Sequence, residues 1–308
     1  MTQQHIAIEQ VTPHIGAYVN NIDLTQDLND MEVAIIHDAL QKYLVLFFQD
    51  QRISSEDQLR FARRLGELES HPFVGHVDQH PELLLLRNDR EHPPQVNRWH
   101  TDVTFQELPA KGAVLRAYEV PDIGGDTLWA SMYAAYEALS DGMQHFLSGL
   151  TAIHDFEHVF FGKDGYGVGG QMSPQERAAK IAEGRKRWPL TEHPVIRTHP
   201  ETGRQALYVN SIFTVSISGM KERESRALLD MLYQHIALPE FQVRFKWRRN
   251  SIAVWDNRCT QHYALADYWP QVRVMHRATL SETERPFHSP NYRAPDSTIP
   301  AGQKQLAG

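Results

Sequence analysis

The sequence predicts a mainly β fold with flanking helices, closed as a double-stranded β-helix (jelly roll). Three observations predict it. From about residue 96 onward, short β-type runs alternate with turns. The connections between these runs are long, as in a double-sheet sandwich. Segments with helical periodicity fall before or between the runs, which places them outside the sheets.

The elements follow in chain order. Residues 31–43 (MEVAIIHDALQKY) carry apolar side chains at helical spacing. LVLFFQ at 44–49 is a continuous apolar run of strand length, which predicts a buried strand. Ser54 with Asp57 forms a capping-box pattern before the helix DQLRFARRL, and Gly66 ends it. ELLLL at 82–86 is a further short strand. Beyond it, strands are expected at 99–105, 112–120, 126–130, 150–155, 193–198, 204–209, 242–247, 251–256 and 271–280. Helices are expected at 131–139, 173–187 and 219–236. Residues 158–173 (HVFFGKDGYGVGGQMS) are glycine-rich and aperiodic, which fits either a surface loop or a lid over a site. The basic run at 246–249 is interrupted by Trp247 at a strand end and reads as a solvated edge.

Composition bounds the function. With 308 residues, 41% hydrophobic and 22% charged, the chain suits one large domain over 1–308. A formal net charge of −7 with no basic face argues against a nucleic-acid partner. No apolar run approaches the roughly 18 residues of a membrane span, so no membrane partner is expected. The first residues, MTQQHIAIEQ, lack the basic and apolar blocks of a signal peptide. Cys259 is the only cysteine, so no intrachain disulfide forms, and a cytoplasmic protein is the simplest expectation. The proline-rich, polar segment from about 285 to 308 reads as an extended or disordered arm.

Seventeen histidines supply metal ligands and decoys alike, so spacing has to be weighed with context. His100 and Asp102 sit two apart in RWHTDVTF. On a strand, residues i and i+2 share a face, so one imidazole and one carboxylate would project together. A distant histidine would complete the two-histidine, one-carboxylate triad of iron(II) oxygenases, which leaves coordination positions open. His76/Asp78, His80/Glu82 and His199/Glu201 repeat the spacing, but in turn-like or proline-containing contexts that read as surface. His100 is flanked by Trp99, Thr101, Val103 and Phe105, as a strand requires.

The C-terminal run IAVWDNRCTQHYALADYWPQVRVMHRATL places His262 after a strand ending in Trp255 and Asp256. Arg273 and Arg277 are four apart on the next strand and share a face with Met275. Arginines facing inward from an apolar strand each need an anion, either a structural ion-pair partner or a bound ligand. The planar guanidinium suits a carboxylate, sulfonate or phosphate.

NRWHTDVTF, GGDTLWAS, HPVIRTHPETGRQALYVN, WDNRCTQHYA and RVMHRAT occur in this order. Together they resemble the taurine dioxygenase (TauD/TfdA) family of iron(II)/2-oxoglutarate-dependent dioxygenases. With the loop around His71, the resemblance runs from about residue 68 to 280, and more weakly from residue 6. It implies the jelly-roll fold, a lid at about 158–190, bound Fe(II), 2-oxoglutarate as cosubstrate and O2. His100, Asp102 and His262 match the family's iron ligands and so form the implied catalytic centre. Thr127 and Arg273 match the pair that holds the distal carboxylate of 2-oxoglutarate. Arg277 matches the arginine that grips the substrate sulfonate, and His71, Phe156 and Phe213 match further substrate-pocket positions. The resemblance also implies a homo-oligomer, a dimer or a tetramer. Taken singly, the same residues admit plainer readings. Thr127 could be an ordinary strand threonine, Phe156 and Phe213 could be core, and His71, before Pro72, could be an exposed loop residue. Cys259 reads as a small buried residue rather than a nucleophile.

Two positions depart from the taurine-specific pattern. Val74 stands where those members have a tyrosine, and Val96 where they have an asparagine. Both polar groups lie near the amine end of taurine. Valines there remove hydrogen-bond partners for an ammonium group and tolerate an alkyl tail. The implied substrate is a small anionic organosulfonate, taurine-like at its sulfo end. Hydroxylation of the carbon next to the sulfo group would release an aldehyde and sulfite, with succinate and CO2. The alternative is an alkylsulfatase-type dioxygenase that cleaves alkyl sulfate esters to aldehyde and sulfate. A carboxylate substrate also fits Arg277. Readings from other classes are a zinc hydrolase on the same ligands, which has no use for Arg273, and a non-catalytic metal-binding jelly roll.

Overall fold

Val45–Phe48, the centre of the apolar run at 44–49, is a strand with all four side chains buried. Its two faces serve two different cores. Val45 and Phe47 join one apolar cluster, whereas Leu46 and Phe48 join another. A strand covered on both faces must be apolar at every position, which is why this segment lacks the alternation of a half-exposed strand. The computed structural model describes residues 5–70, 75–95, 97–162 and 172–294. In it, Val45–Phe48 lies within a nine-stranded major sheet.

From one edge, the major sheet runs Ala7–Gln10, Ala17–Asn20, Val45–Phe48, Ile252–Asp256 and Gly112–Glu119. It continues through Arg273–Leu280, His80–Asn88 and His76–Val77, with Leu68–Glu69 pairing beside Arg273–Leu280. Ala17–Asn20 and Val45–Phe48 pair in parallel. The minor sheet comprises Gln242–Phe245, Thr127–Ser131 and Thr260–Ala264. The sheets meet through aromatic rings. Phe47 of the major sheet stacks on Phe245 of the minor sheet at 4.3 Å and meets the edge of Trp129 at 5.6 Å. Offset and edge-on ring pairs of this kind add about 0.5–1.5 kcal/mol each beyond area burial.

Helices Asp30–Tyr43 and Ser55–Leu65 cover the far face of the major sheet. Ile36, Leu40, Leu59 and Ala62 pack there with Phe48, Val114, Val254 and Ala278. Both helices start with a complete capping box, Asn29 with Glu32 and Ser54 with Asp57. Two sheets face to face with helices outside is the layered arrangement that the sequence predicts.

Local differences have physical reasons. The strand expected at 99–105 does not form. That segment is a series of tight turns with one isolated bridge, His100 to His262, and Val103 has a positive φ of 45°. Strands Thr214–Ile217, Ala7–Gln10 and Ala17–Asn20 are too short to carry a pattern in sequence. Strand Thr260–Ala264 also escaped detection, because its polar residues Thr260, Gln261 and His262 are buried. His199 is not a surface residue: it is 1% exposed, and its Nε2 lies 3.1 Å from Asp256. Of the glycine-rich segment, the described part forms a short helix, Glu157–Phe161; residues 163–171, and residues 295–308 of the arm, lie outside the described residues. Among the described residues, no helix is long and apolar enough to cross a membrane.

Candidate active site

Side chains from both sheets enclose a cavity of about 430 Å³. The major sheet contributes Leu84, Leu115 and Trp255, and the minor sheet Thr127, Trp129 and His262. His262 comes from strand Thr260–Ala264. His100 is fastened to that strand by a reciprocal backbone pair: its N–H donates to the His262 carbonyl at 3.1 Å and its carbonyl accepts from His262 at 2.8 Å. The next turn brings Asp102 back to the same point. The two side chains therefore converge through a turn held to a strand, not through the two-residue period of a strand.

The turn is itself tied down. His193 Nε2 lies 2.9 Å from the Thr104 carbonyl and 3.0 Å from that of Gln106, and the Asn210 amide donates to Thr104 Oγ1 at 3.0 Å. Thr191 Oγ1 donates to the Phe105 carbonyl at 2.8 Å. These buried bonds fix the segment that presents Asp102, and burial holds His193 down at about 4, so it stays a neutral donor.

The three candidate ligands meet closely. His100 Nε2 and His262 Nε2 each lie 3.8 Å from Asp102 Oδ1, and the donor atoms of all three fall within 4.8 Å of one another. His100 Nδ1 lies 2.8 Å from the Arg98 carbonyl, which only accepts. Nδ1 therefore carries the proton and Nε2 presents its lone pair. Burial pushes both imidazoles below their usual range; for His262, with His100 and Arg277 adding to burial and Asp102 opposing, to about 3. Two neutral imidazoles and one carboxylate on one side of a partly open cavity fit iron(II).

Two guanidinium groups face the same cavity from strand Arg273–Leu280. Arg273 is 6% exposed, makes no ion pair among the described residues, and has a buried Nε without a partner. Burial lowers its pKa, with nearby Tyr268 opposing. A buried cation without a carboxylate partner is costly unless it receives an anion. Thr127 lines the same cavity, and its Oγ1 accepts a hydrogen bond from Trp247 Nε1 at 2.9 Å. Gly125, with φ +71°, lets the chain pass close to Arg273: an added Cβ would lie 3.4 Å from Arg273 Cδ and 3.1 Å from Tyr268. Arg277 donates from Nη1 to Asp102 Oδ1 at 3.1 Å and from Nε to Thr279 Oγ1 at 3.2 Å, and its buried Nη2 has no partner. Glu69, beside Arg277 and Asp102, has its carboxyl raised to about 7, mainly by burial.

Phe213 lines the cavity, joined by Phe160 and Val103, which sequence reasoning missed. Phe156 does not line it. Phe156 is fully buried behind it, against Phe105 and Trp188. His71, Val74 and Val96 lie outside the described residues. Trp247 was also missed. Its signal was the alternation Val243, Phe245, Trp247, all buried, which continues the inward face through the basic run. A second group, His199, Asp256 and Cys259, has metal-like spacing. There the Arg258 guanidinium already neutralises Asp256, and burial pushes the Cys259 thiol well above its usual range. That cluster reads as a structural ion-pair network.

A double-sheet fold carrying two histidines, a carboxylate and two inward arginines, Arg273 without an ion pair among the described residues and Arg277 with a spare Nη2, defines the class: a 2-oxoglutarate-dependent dioxygenase. The chain belongs to the family described as taurine catabolism dioxygenase TauD, TfdA family, whose profile matches residues 7–279. It is 36% identical over 281 residues to an alkylsulfatase of Acinetobacter baylyi, covering 90% of this chain and 86% of that one. Its fold superposes on a taurine dioxygenase from Burkholderia xenovorans with a TM-score of 0.77 at 37% identity, covering 92% of this chain and 91% of the other. It also superposes on AAD-2, solved in complex with Mn(II) and N-oxalylglycine, with a TM-score of 0.74 at 30% identity, covering 92% of this chain and 100% of the other.

Proposed function

We propose that this dioxygenase oxidises the carbon bearing the sulfonate or sulfate-ester group of a small alkyl organosulfur anion. The product collapses to an aldehyde with sulfite or sulfate. His100 Nε2, Asp102 and His262 Nε2 hold iron(II) in this reading. That metal, when bound, supplies oxygen activation coupled to the decarboxylation of 2-oxoglutarate to succinate and CO2.

The observation that carries the reading is the pair of buried, incompletely partnered arginines beside the ligand triad. Arg273 receives the distal carboxylate of 2-oxoglutarate. Trp247 occupies the acceptor side of Thr127, so the threonine hydroxyl proton is left to donate to that carboxylate. Arg277 keeps Nη1 on Asp102 and offers Nη2 to the sulfo oxygens. In this reading the anionic end of the substrate lies next to the metal ligands, with its adjoining carbon toward the reacting centre. Leu84, Leu115, Phe160 and Phe213 form apolar walls that accept an alkyl tail and exclude water. The kinship with an alkylsulfatase supports an alkyl sulfate; the kinship with a taurine dioxygenase supports a sulfonate.

The test is 2-oxoglutarate-dependent release of sulfite or sulfate by iron-loaded enzyme offered hexanesulfonate, hexyl sulfate and taurine. Turnover of either hexyl compound well above that of taurine is expected, and the product ion identifies the ester or the sulfonate. Taurine as the best of the three would overturn the alkyl-tail assignment. Release that does not need 2-oxoglutarate would overturn the assigned roles of Arg273 and Thr127.

A further inference from the structure

Along strand Gly112–Glu119, Leu115 faces the active-site cavity, and Arg116, the next residue, points from the opposite face of the sheet. Arg116 is 7% exposed, yet its Nε has no hydrogen-bond partner and it makes no ion pair among the described residues. It opens into a shallow cleft of about 460 Å³, lined by Arg52, Ile53, Arg116, Arg249 and Asn250. Three guanidinium groups and no carboxylate line this cleft, although the chain as a whole carries a net charge of −7.

The surroundings do not neutralise Arg116. Asp57 attracts it from helix Ser55–Leu65, but the Asp57 carboxylate is bonded to Ser54 at 2.8 Å and to Arg60 at 2.8 Å. His276, the cross-strand partner of Arg116, stacks on Tyr118 and is held below its usual pKa by burial and by Arg116 itself. The Tyr118 ring lies 6.0 Å from the guanidinium and offers only its π face. A nearly buried guanidinium held beside two further arginines is a costly arrangement without an anion. Its planar fork matches two oxygens of an oxyanion.

We propose that this cleft is a second anion site, separate from the catalytic cavity, which binds a free inorganic oxyanion of the sulfate or phosphate class. Arg116 is the buried anchor, and the exposed Arg52 and Arg249 close over the ion from the rim. The site does not depend on the assigned substrate. Its ion would be the same chemical species as one of the two candidate products.

Thermal melts of enzyme loaded with Mn(II) and 2-oxoglutarate test it, with sodium sulfate or phosphate titrated against sodium chloride at matched ionic strength. The Arg277→Gln variant serves as the parent, so that the catalytic cavity offers no sulfo site. The expected result is a saturable rise in Tm of about 2 °C at tenfold excess over the dissociation constant. Adding Arg116→Gln should abolish the rise. Adding Arg249→Gln or Arg52→Gln, both at exposed positions, should weaken the ion several-fold, and these two decide the matter if Arg116→Gln does not fold. A rise reproduced by chloride, or one undiminished in the Arg249 and Arg52 variants, overturns the site.

Discussion

Replacing Thr127 with Val, Trp247 with Phe, and both together separates holding 2-oxoglutarate from orienting the group that holds it. On the proposed reading, Thr127→Val deletes a hydroxyl that donates to a carboxylate, a charge-assisted bond worth about 1.5–3 kcal/mol. That corresponds to roughly 10- to 150-fold weaker 2-oxoglutarate. It also strands the Trp247 indole N–H, whose 2.9 Å bond to Thr127 has no substitute among the described residues. Stranding a buried donor costs about 1–3 kcal/mol of stability. Trp247→Phe keeps an aromatic body in the core and loses only the bond that sets the hydroxyl, about 0.5–1.5 kcal/mol, or roughly 2- to 12-fold in affinity. If Trp247 acts through Thr127, the double variant binds 2-oxoglutarate no more weakly than Thr127→Val alone and melts higher than it. Calorimetric binding of N-oxalylglycine to the Mn(II)-loaded enzyme reads the affinity, and the KM for the organosulfur substrate should stay level. Unchanged affinity in Trp247→Phe, or strictly additive losses in the double variant, would refute the orientation argument.

Asp102→Ala should abolish both turnover and Mn(II) binding, measured by equilibrium dialysis; metal retained at wild-type affinity would remove Asp102 from the ligand set. Arg277→Ala should raise the KM for the organosulfur substrate by about 30-fold or more, as expected for losing a buried charge-assisted contact, while the KM for 2-oxoglutarate changes little. The reverse pattern would exchange the roles of Arg273 and Arg277. Gly125→Ala should raise the KM for 2-oxoglutarate and lower stability by about 1–2 kcal/mol, because its left-handed backbone disfavours a Cβ that would crowd Tyr268 and Arg273; an unaltered melt would contradict the strain. The raised carboxyl of Glu69 binds a proton more tightly in the folded chain than its ordinary 4.5, so stability should fall as pH rises from about 4.5 to about 7. Above about 7 the ionised Glu69 competes for Arg277 and the KM of an anionic substrate should rise; Glu69→Gln should flatten both profiles.

The layered fold was legible because its central strands advertise themselves. Val45–Phe48 and Ile252–Asp256 are buried on both faces, so burial writes an unbroken apolar run into the sequence. Arg273 and Arg277 stood out for the opposite reason: a charge inside such a run needs an anion, which Arg277 finds in part in Asp102 and Arg273 does not find among the described residues. The three residues named as a triad do come together, but not on the strand geometry expected of them. The residues around His100 have strand-like chemistry, yet Val103 turns the chain back, and the pairing that matters is with His262, more than a hundred residues away. Sequence patterns report local period, and this contact is set by tertiary packing. Trp247 was read as an interruption in a charged edge because the flanking Lys246 and Arg248 point to solvent while it points inward. The same alternation, followed from Val243, marks it as core. Phe156 was transferred by family position to the pocket wall, whereas here it supports that wall from behind.

Arg273 and Arg277 stand on one strand four residues apart, so the rise of the strand sets their Cα atoms about 13 Å from each other. That strand is clamped on both sides, by Gly112–Glu119 and by His80–Asn88. On the proposed reading it works as a gauge: two anions held by its arginines would keep a fixed separation, whatever the remainder of either molecule does. A bulkier head group would break the spacing, whereas a longer tail leaves along the apolar wall and never meets the gauge. The enzyme should therefore be strict about the distance from charge to reacting carbon and permissive about everything beyond it.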